Sequence, residues 1–220
     1  MFNVKKSVLY SLLFLYIMCF CPVPGKNASF VSAREQDKTF WDRKYATEDY
    51  IFGKEPADFL RDHIDILPKG RALDIAAGEG RNAVFLAENG FDVDAYDISE
   101  VALKKAEELA DEKNVKIHTV VADLESCQLP KNTYNVITCF YYLQHNLIQQ
   151  IKEALRPGGI IIYETYTVDN LERGLPGPRN KNYLLKTNEL LNFFRDFTIM
   201  YYRELVVDNK KAIASLIAKK

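Results

Sequence analysis

The sequence predicts an α/β protein with a doubly wound, seven-stranded, mostly parallel sheet that closes with a C-terminal antiparallel hairpin. Apolar, strand-like runs alternate with helix-periodic segments through most of the chain, which is typical of a parallel sheet covered by helices. A glycine-rich turn with Gly78 and Gly80 separates the first strand from the helix that follows it. Near the C-terminus, two β-rich runs, 197–207 and 212–218, flank the hairpin turn Asp208-Asn209.

Composition favours one domain and argues against some classes of partner. The chain has 220 residues, 48% of them apolar, and a net charge of −1. No basic block is present, which argues against a nucleic-acid substrate. Outside the N-terminal leader, only Cys127 and Cys139 remain. They are too few for a disulfide framework, and no metal-ligand spacing occurs, so we expect no metal site.

We divide the chain into a leader over 1–28, a polar linker over 29–38 and one domain over 39–220. Two lysines precede an apolar run over 8–21, which a Pro-Gly turn ends. This pattern is typical of a secretory signal peptide. The run is shorter than the roughly 20 residues of a spanning helix, so a membrane anchor ranks second. A lipid-attached cysteine in the leader ranks third.

The first strand and its glycine turn organise the rest of the chain. The segment 71–82 reads RALDIAAGEGRN, in which an apolar run precedes glycines that allow positive φ and a close backbone approach. A strand, a glycine-rich turn and a helix open a nucleotide-binding α/β half. Asp74 lies inside the apolar run, where a charge is costly unless it is paired. We therefore expect Asp74 to face the amides of the turn or a cationic ligand.

The second strand, 91–96, ends at another acid. Asp97 lies at the offset of about 20 residues at which an acid binds a ribose diol in such folds. A carboxylate suits this task because it can accept from both hydroxyls. The alternative is that Asp97 only caps the following turn. Ser99 is then expected to cap a helix that runs to about Lys113.

The remaining elements continue the alternation of strands and helices. Thr187 is expected to cap a short helix, and the segment 166–183 is expected to be a long irregular loop at the site. The further predicted elements are a third strand 115–121, a fourth strand 134–140, a helix carrying Ile148, Ile151 and Leu155, a fifth strand 160–165 and the short helix 188–194.

A substrate, called the acceptor below, is expected to bind at the carboxyl ends of the fourth and fifth strands, because ligands bind there in open α/β sheets. Tyr141, Tyr142 and His145 follow the fourth strand, and Glu164 ends the fifth. His145 has a suitable unperturbed pKa for a general base, although it is equally compatible with a helix start without chemistry. In the long loop, the basic residues available for an anionic acceptor are Arg173, Arg179 and Lys181.

The series Asp74-x-Ala76-x-Gly78-x-Gly80 resembles the first motif of class I S-adenosylmethionine (SAM)-dependent methyltransferases. The wider run DIAAGEGRNAVFLAENGFDVDAYDIS is similar to the tellurite-resistance and thiopurine branches of that family. Ala76 departs from the pattern, because the family often has glycine there. The resemblance implies the seven-stranded, Rossmann-like methyltransferase fold, SAM as the cofactor and methyl transfer to a small-molecule acceptor by in-line displacement.

The resemblance also implies roles for residues at the strand ends. In the family, an acid after the third strand accepts a hydrogen bond from the adenine amino group, and the backbone amide of the next residue contacts the adenine ring. Asp123 and Leu124 match these positions. The alternative is that Asp123 is only a turn residue, as an acid after a strand usually is. An aromatic segment before the first motif covers the cofactor, unless it is only an amphipathic cap on the sheet. The expected cofactor-binding residues are Asp74, Ala76, Gly78, Gly80, Asp97, Ile98, Ala122, Asp123, Leu124, Phe140, Trp41 and Tyr50.

The need for a catalytic base depends on the acceptor. The sulfonium is already activated, so positioning dominates, and a soft nucleophile such as a thiol or selenide needs little help. A hydroxyl acceptor needs a base, for which His145 and Glu164 are the candidates.

Two other functions stay open. Gly78-x-Gly80-x-x-Ala83 also satisfies the fingerprint of an NAD(P)-dependent oxidoreductase, although Glu79 places a negative charge where a pyrophosphate would bind. A SAM-binding protein without catalysis is the other alternative. The leader suggests export or membrane anchoring, whereas SAM is used in the cytosol; a start at Met18 would resolve this conflict.

Overall fold

The computed structural model describes residues 33–220. The predicted leader and the first residues of the predicted linker lie outside the described residues, so the domain boundaries stay a prediction. Helix α1 begins at Ala33, so the part of that linker from residue 33 onward is helical rather than irregular. Between residues 33 and 220, no helix is long and apolar enough to cross a bilayer.

The described chain forms seven strands and seven α-helices. The strands are β1 Arg71–Ile75, β2 Asp92–Asp97, β3 His118–Val121, β4 Tyr134–Phe140, β5 Leu155–Tyr166, β6 Thr198–Val207 and β7 Lys211–Lys219. The helices are α1 Ala33–Tyr45, α2 Asp58–Arg61, α3 Arg81–Glu88, α4 Glu100–Glu112, α5 Leu147–Ala154, α6 Val168–Glu172 and α7 Glu189–Phe193. Two 3₁₀ turns, Ile64–Ile66 and Lys181–Tyr183, complete the set.

The strands form one sheet in the order β3-β2-β1-β4-β5-β7-β6. Strands β1 to β5 are parallel, and β7 pairs antiparallel with both β5 and β6. The strand order reverses between β1 and β4, which is the switch point where ligands bind in such sheets. The predicted fold class, including the C-terminal hairpin, is confirmed.

Local sequence explains most of the element boundaries. The side chain of Ser99 accepts from the amide of Ala102 at 3.1 Å and starts α4, as predicted. Asp208 and Asn209 both have positive φ, of 50° and 54°, as a two-residue hairpin turn requires. The predicted cap at Thr187 is wrong, because Asn188, at φ 58°, precedes α7 instead. The segment 166–183 is less irregular than expected, since it contains α6 and the second 3₁₀ turn.

The core has two layers, one on each face of the sheet. Alternate residues of a strand point to opposite faces, so Leu73 and Ile137 join one buried cluster and Ala72 and Val136 join the other. The first cluster includes residues of α5 and α7, and the second includes residues of α2 and α3. The two layers hold the carboxyl ends of β1, β2, β4 and β5 at one edge, where the candidate site lies.

Candidate functional site

The glycine turn after β1 has the tight geometry that the sequence predicts. Ala76, Gly78 and Gly80 have φ of 54°, 55° and 83°. A Cβ on Gly78 would lie 2.9 Å from the hydroxyl oxygen of Tyr45, and a Cβ on Gly80 would lie 2.4 Å from the Cβ of Ala106 on α4. Gly80 is therefore required by the packing of α4, whereas Gly78 is required by an aromatic ring that lies on the turn.

Ala76 occupies a left-handed conformation that is unfavourable for a residue with a Cβ. We expect Ala76→Gly to raise the free energy of unfolding by about 1 kcal/mol, because the left-handed region costs an L-residue roughly that much. Thermal unfolding should then shift upward by about 2–4 °C. An unchanged or lower midpoint would show that the alanine side chain contributes packing that offsets its backbone strain.

Asp97 fastens the glycine turn to the end of β2. One carboxylate oxygen accepts from the amide of Gly78 at 2.8 Å, and the other accepts from the amide of Ser99 at 2.9 Å. Burial raises the pKa of this carboxyl, and the backbone hydrogen bonds from Ser99, Gly78 and Ile98 oppose that effect. Asp97 therefore combines the predicted position at the strand end with a structural role at its own turn.

Asp74 is a buried carboxyl with an unsatisfied oxygen. Its Oδ1 accepts from the hydroxyl of Thr138 at 2.6 Å, whereas its Oδ2 has no hydrogen-bond partner among residues 33–220. Burial raises its pKa to about 7, opposed first by the bond from Thr138, then by the charge of Arg81 and last by the nearby backbone amide of Ala83. A buried polar atom without a partner calls for an explanation, and a cationic ligand supplies one.

Asp123 follows β3 and caps its own turn. Its carboxylate accepts from the amide of Glu125 at 3.0 Å and from the hydroxyl of Ser126 at 2.9 Å. These contacts fit the turn-residue alternative, and the adenine role stays a prediction. The amide of Ala122 donates to the main-chain oxygen of Asp97 at 2.8 Å, and Leu124 is buried in the core. Asp74, Asp97 and Asp123 thus lie at or just beyond the carboxyl ends of three adjacent strands, at one edge of the sheet.

The aromatic segment before β1 reaches the glycine turn through a residue that the sequence analysis did not select. Tyr45 is buried, and its hydroxyl lies next to Gly78. The ring of Trp41 stacks on Tyr45 with centroids 5.6 Å apart. Tyr50, an expected cofactor contact, donates its hydroxyl to the main-chain oxygen of Lys105 at 2.8 Å and packs near α3 and α4, and its cofactor role stays a prediction. Only its tertiary contacts distinguish Tyr45 from the other aromatic residues of this segment.

Two polar residues meet at the ends of β4 and β5. The hydroxyl of Tyr141 donates to Oε1 of Glu164 at 3.0 Å and accepts from Nζ of Lys211 at 2.5 Å. The other oxygen of Glu164 accepts from Ser215 at 2.7 Å. Tyr141 has a φ of 58°, which is costly for an aromatic residue and indicates that its surroundings fix its orientation. The neighbouring Phe140 is buried in the core.

The structure does not bring the two predicted catalytic residues together. His145 is exposed, its Nε2 lies 3.3 Å from a carboxylate oxygen of Glu189, and its ring contacts Phe193 edge-on. Phe193 packs against the core cluster on one face of the sheet, whereas Tyr141 packs against the cluster on the other. Glu164 is therefore beside Tyr141, and His145 is not.

A cleft of about 290 Å³ adjoins Tyr141. Arg81 donates to the main-chain oxygen of Phe52 at 3.1 Å and lies over the ring of Tyr141, 5.8 Å from its centroid. The basic residues of the predicted loop are exposed and do not line this cleft. The cationic residues that do line it come from three separate parts of the chain: Lys54, Arg81 and Lys211.

Comparison with known proteins identifies similar sequences over most of the described chain. A profile of the family described as "Tellurite resistance protein TehB" matches residues 33–215. The chain is 24% identical over 150 residues to the "Probable S-adenosyl-L-methionine-dependent methyltransferase TehB" of Haemophilus influenzae, which covers 65% of this chain and 51% of that protein. It is 30% identical over 122 residues to a ubiquinone biosynthesis O-methyltransferase of Rickettsia akari, covering 53% of this chain and 47% of that protein. The chain thus spans about half the length of the curated relatives it matches.

Solved structures support the same architecture. The crystal structure of TehB from Haemophilus influenzae aligns with a TM-score of 0.61 at 22% identity, covering 83% of this chain and 66% of that one. A SAM-dependent methyltransferase from Mesorhizobium loti aligns with a TM-score of 0.62 at 19% identity, covering 76% of this chain and 100% of that one. At these identities, the likeness shows a shared fold.

Proposed function

This chain belongs to the tellurite resistance protein TehB family, and we propose that it transfers a methyl group from SAM to a small-molecule acceptor by direct displacement. The observation that carries the proposal is the unpartnered carboxylate oxygen of Asp74, buried beside the glycine turn at the strand switch point. The relatives whose names specify SAM-dependent or O-methyl transfer support the same activity.

The residues at the strand ends fit SAM as a ligand. SAM carries an ammonium and a sulfonium, and the open oxygen of Asp74 is suited to receive a cation. Asp97 ends β2, where a carboxylate can accept from ribose hydroxyls, and its two oxygens have accepting sites beyond the backbone amides that they already bind. Asp123 and Leu124 would hold the adenine, and Tyr45 and Trp41 would cover the turn. When bound, SAM supplies an activated methyl group on a cationic sulfur.

The chain's own contribution to the reaction is positioning. The cleft beside Tyr141 is lined by three cationic residues, Lys54, Arg81 and Lys211, and by two acidic ones, Glu55 and Asp58. The cationic groups next to Tyr141 are those of Arg81 and Lys211, which suit an acceptor that carries negative charge. Glu164 is a poor candidate for a base, because two hydroxyl groups donate to its carboxylate and Lys211 and Arg203 lie 3.9 Å away. We propose that Glu164 orients Tyr141, and that an acceptor that enters already deprotonated, or as a soft nucleophile, needs no base.

One argument against the oxidoreductase alternative is removed by the structure, and another is added. Glu79 does not leave a free negative charge at the start of α3, because Lys105 pairs with it. The open oxygen of Asp74 is nevertheless at the strand switch point, where an uncompensated carboxylate would oppose a pyrophosphate. A cationic ligand would pair with this oxygen, whereas the pyrophosphate of a dinucleotide would be repelled by it.

Calorimetry with SAM and with NADH separates the two cofactors. We expect SAM and its demethylated product, S-adenosylhomocysteine, to bind with micromolar affinity, on the order of −8 kcal/mol, and NADH to give no signal. Tight binding of NADH without binding of SAM would end the proposal.

An acceptor screen separates an enzyme from a silent SAM-binding protein. Tellurite, selenite, thiols and phenols would each be incubated with SAM, and the demethylated product would be measured. Product formation with at least one acceptor supports catalysis, and SAM binding without turnover on any of them favours the non-catalytic alternative.

A further inference from the structure

The proposed chemistry leaves one buried ion pair unused. Glu79 lies between the two glycines of the turn, and its Oε1 contacts Nζ of Lys105 on α4 at 2.5 Å. Glu79 is 4% exposed and Lys105 is 8% exposed. A buried ion pair often stabilises a fold less than apolar residues of the same volume. Its presence therefore suggests a task other than stability.

Both members of the pair also bind the connecting segment, residues 46–57, which joins α1 to α2. Nζ of Lys105 donates to the main-chain oxygens of Asp49 at 2.6 Å and Thr47 at 3.3 Å. The second oxygen of Glu79 accepts from the amide of Phe52 at 3.4 Å. With Glu79 as its third partner, the ammonium of Lys105 has used all three of its donors.

Apart from these contacts, a small number of side chains and its buried end at Ala57 hold the connecting segment. It contains no helix or strand, and most of its side chains are exposed, including those of Thr47, Asp49 and Phe52. Its other anchors are Tyr50, whose hydroxyl donates to the main-chain oxygen of Lys105, the ion pair of Lys54 with Glu112, and the amide of Ala57, which donates to the side chain of Asn82. A segment with few buried apolar contacts opens at low free-energy cost. The three main-chain contacts to Glu79 and Lys105 are the buried charged ones, so they contribute to how often the segment opens.

The same segment borders both halves of the proposed site. It begins directly after Tyr45, which lies on Gly78, and its residues 52–57 line the cleft together with Arg81 and Tyr141. The main-chain oxygen of Phe52 also accepts a hydrogen bond from the guanidinium of Arg81. Movement of this segment would break the contact of Phe52 with Glu79 in the glycine turn and remove one wall of the cleft together.

We propose that Glu79 and Lys105 are positioning residues that hold the connecting segment closed over the cofactor turn and the acceptor cleft, and so set the rate at which the cofactor product leaves. This inference rests on the proposed function, because it assigns S-adenosylhomocysteine to the turn. The pair joins three elements: the glycine turn, α4 and the connecting segment. It acts through the segment rather than through contact with the ligand.

The test uses the double variant Glu79→Gln/Lys105→Met in the full chain. Removing one partner alone would leave a buried charge and risks unfolding, whereas removing both keeps similar volumes without a buried charge. The matched control is Glu88→Gln/Lys113→Met, which removes the exposed ion pair, 3.8 Å apart, between the last residue of α3 and the residue that follows α4. Circular dichroism and thermal unfolding would confirm that both double variants are folded.

Two measurements report on the segment. Stopped-flow displacement should show S-adenosylhomocysteine leaving the Glu79/Lys105 double variant at least about tenfold faster, since charged hydrogen bonds to the segment are lost. Limited trypsin digestion, at the exposed Lys44 just before the segment and the exposed Lys54 within it, should be faster in this variant even without ligand. The Glu88/Lys113 variant should match the parent in both measurements.

The outcomes distinguish the two proposals. Parent-like dissociation and digestion in a folded Glu79/Lys105 double variant would overturn the positioning role. If the parent binds no S-adenosylhomocysteine, the proposed function fails. In that case, digestion of the Glu79/Lys105 double variant at the parent's rate would refute closure as well. Faster digestion of the double variant would support closure of the segment over a site for another ligand.

Discussion

Replacing Asp97 with alanine is expected to weaken SAM binding by at least about a hundredfold. The variant loses two hydrogen bonds from buried amides to a carboxylate, and each such bond contributes about 1.5–3 kcal/mol. The amide of Gly78 would be left without its partner, so the turn that should meet the cofactor would lose its geometry. The proposed ribose contacts would be lost as well. Calorimetric titration with SAM measures the effect.

Asp92→Asn is the control for Asp97→Ala. Asp92 begins the same strand, is exposed and pairs only loosely with His118, 3.5 Å apart, so SAM binding should be unchanged. Asp97→Asn separates charge from shape, because an amide can still accept one of the two backbone bonds. If Asp97→Ala bound SAM as tightly as the parent while remaining folded, the ribose assignment would be wrong.

Replacing Asp74 with asparagine is expected to stabilise the ligand-free protein at high pH while weakening SAM binding. Burial raises the pKa of Asp74 from 3.8 to about 7, so its ionisation costs the folded state about 4 kcal/mol. Because the pKa is higher in the folded than in the unfolded protein, the stabilising effect of the protonated carboxyl is fully present below about pH 4 and is lost as the pH rises through 7. Asparagine does not ionise, so the stability of Asp74→Asn relative to the parent should increase between about pH 4 and pH 8.

The same carboxyl should couple SAM binding to proton release. A cation beside the open oxygen of Asp74 favours the ionised form, so SAM should bind more tightly as the pH rises from about 6 to 8, and about half a proton should be released near pH 7. Calorimetry in two buffers of different ionisation enthalpy measures this release. Proton release that persists in Asp74→Asn would assign the effect to another group and remove Asp74 from the ammonium site.

Much of the fold follows from local patterns in the chain. The apolar runs predict the strands, and the turn residues explain where they end: Ser99 begins α4, and Asp208-Asn209 closes the hairpin. These features depend on backbone conformation and on short-range hydrogen bonds, which neighbouring residues specify. The alignment of Asp74, Asp97 and Asp123 at one edge follows as well, because parallel strands bring their carboxyl ends together.

The sequence by itself determined the order of strands and helices, the glycine turn and the edge of the sheet at which a ligand belongs. Only the tertiary structure decided that Tyr45 rather than Tyr50 lies on the turn and that His145 pairs with Glu189. It also decided that Arg81 and Lys211 share a cleft and that Lys105 neutralises Glu79. The physical reason is distance along the chain. Periodicity and turn chemistry act over a few residues, whereas the partner of a charge or the neighbour of a ring is set by how distant segments pack.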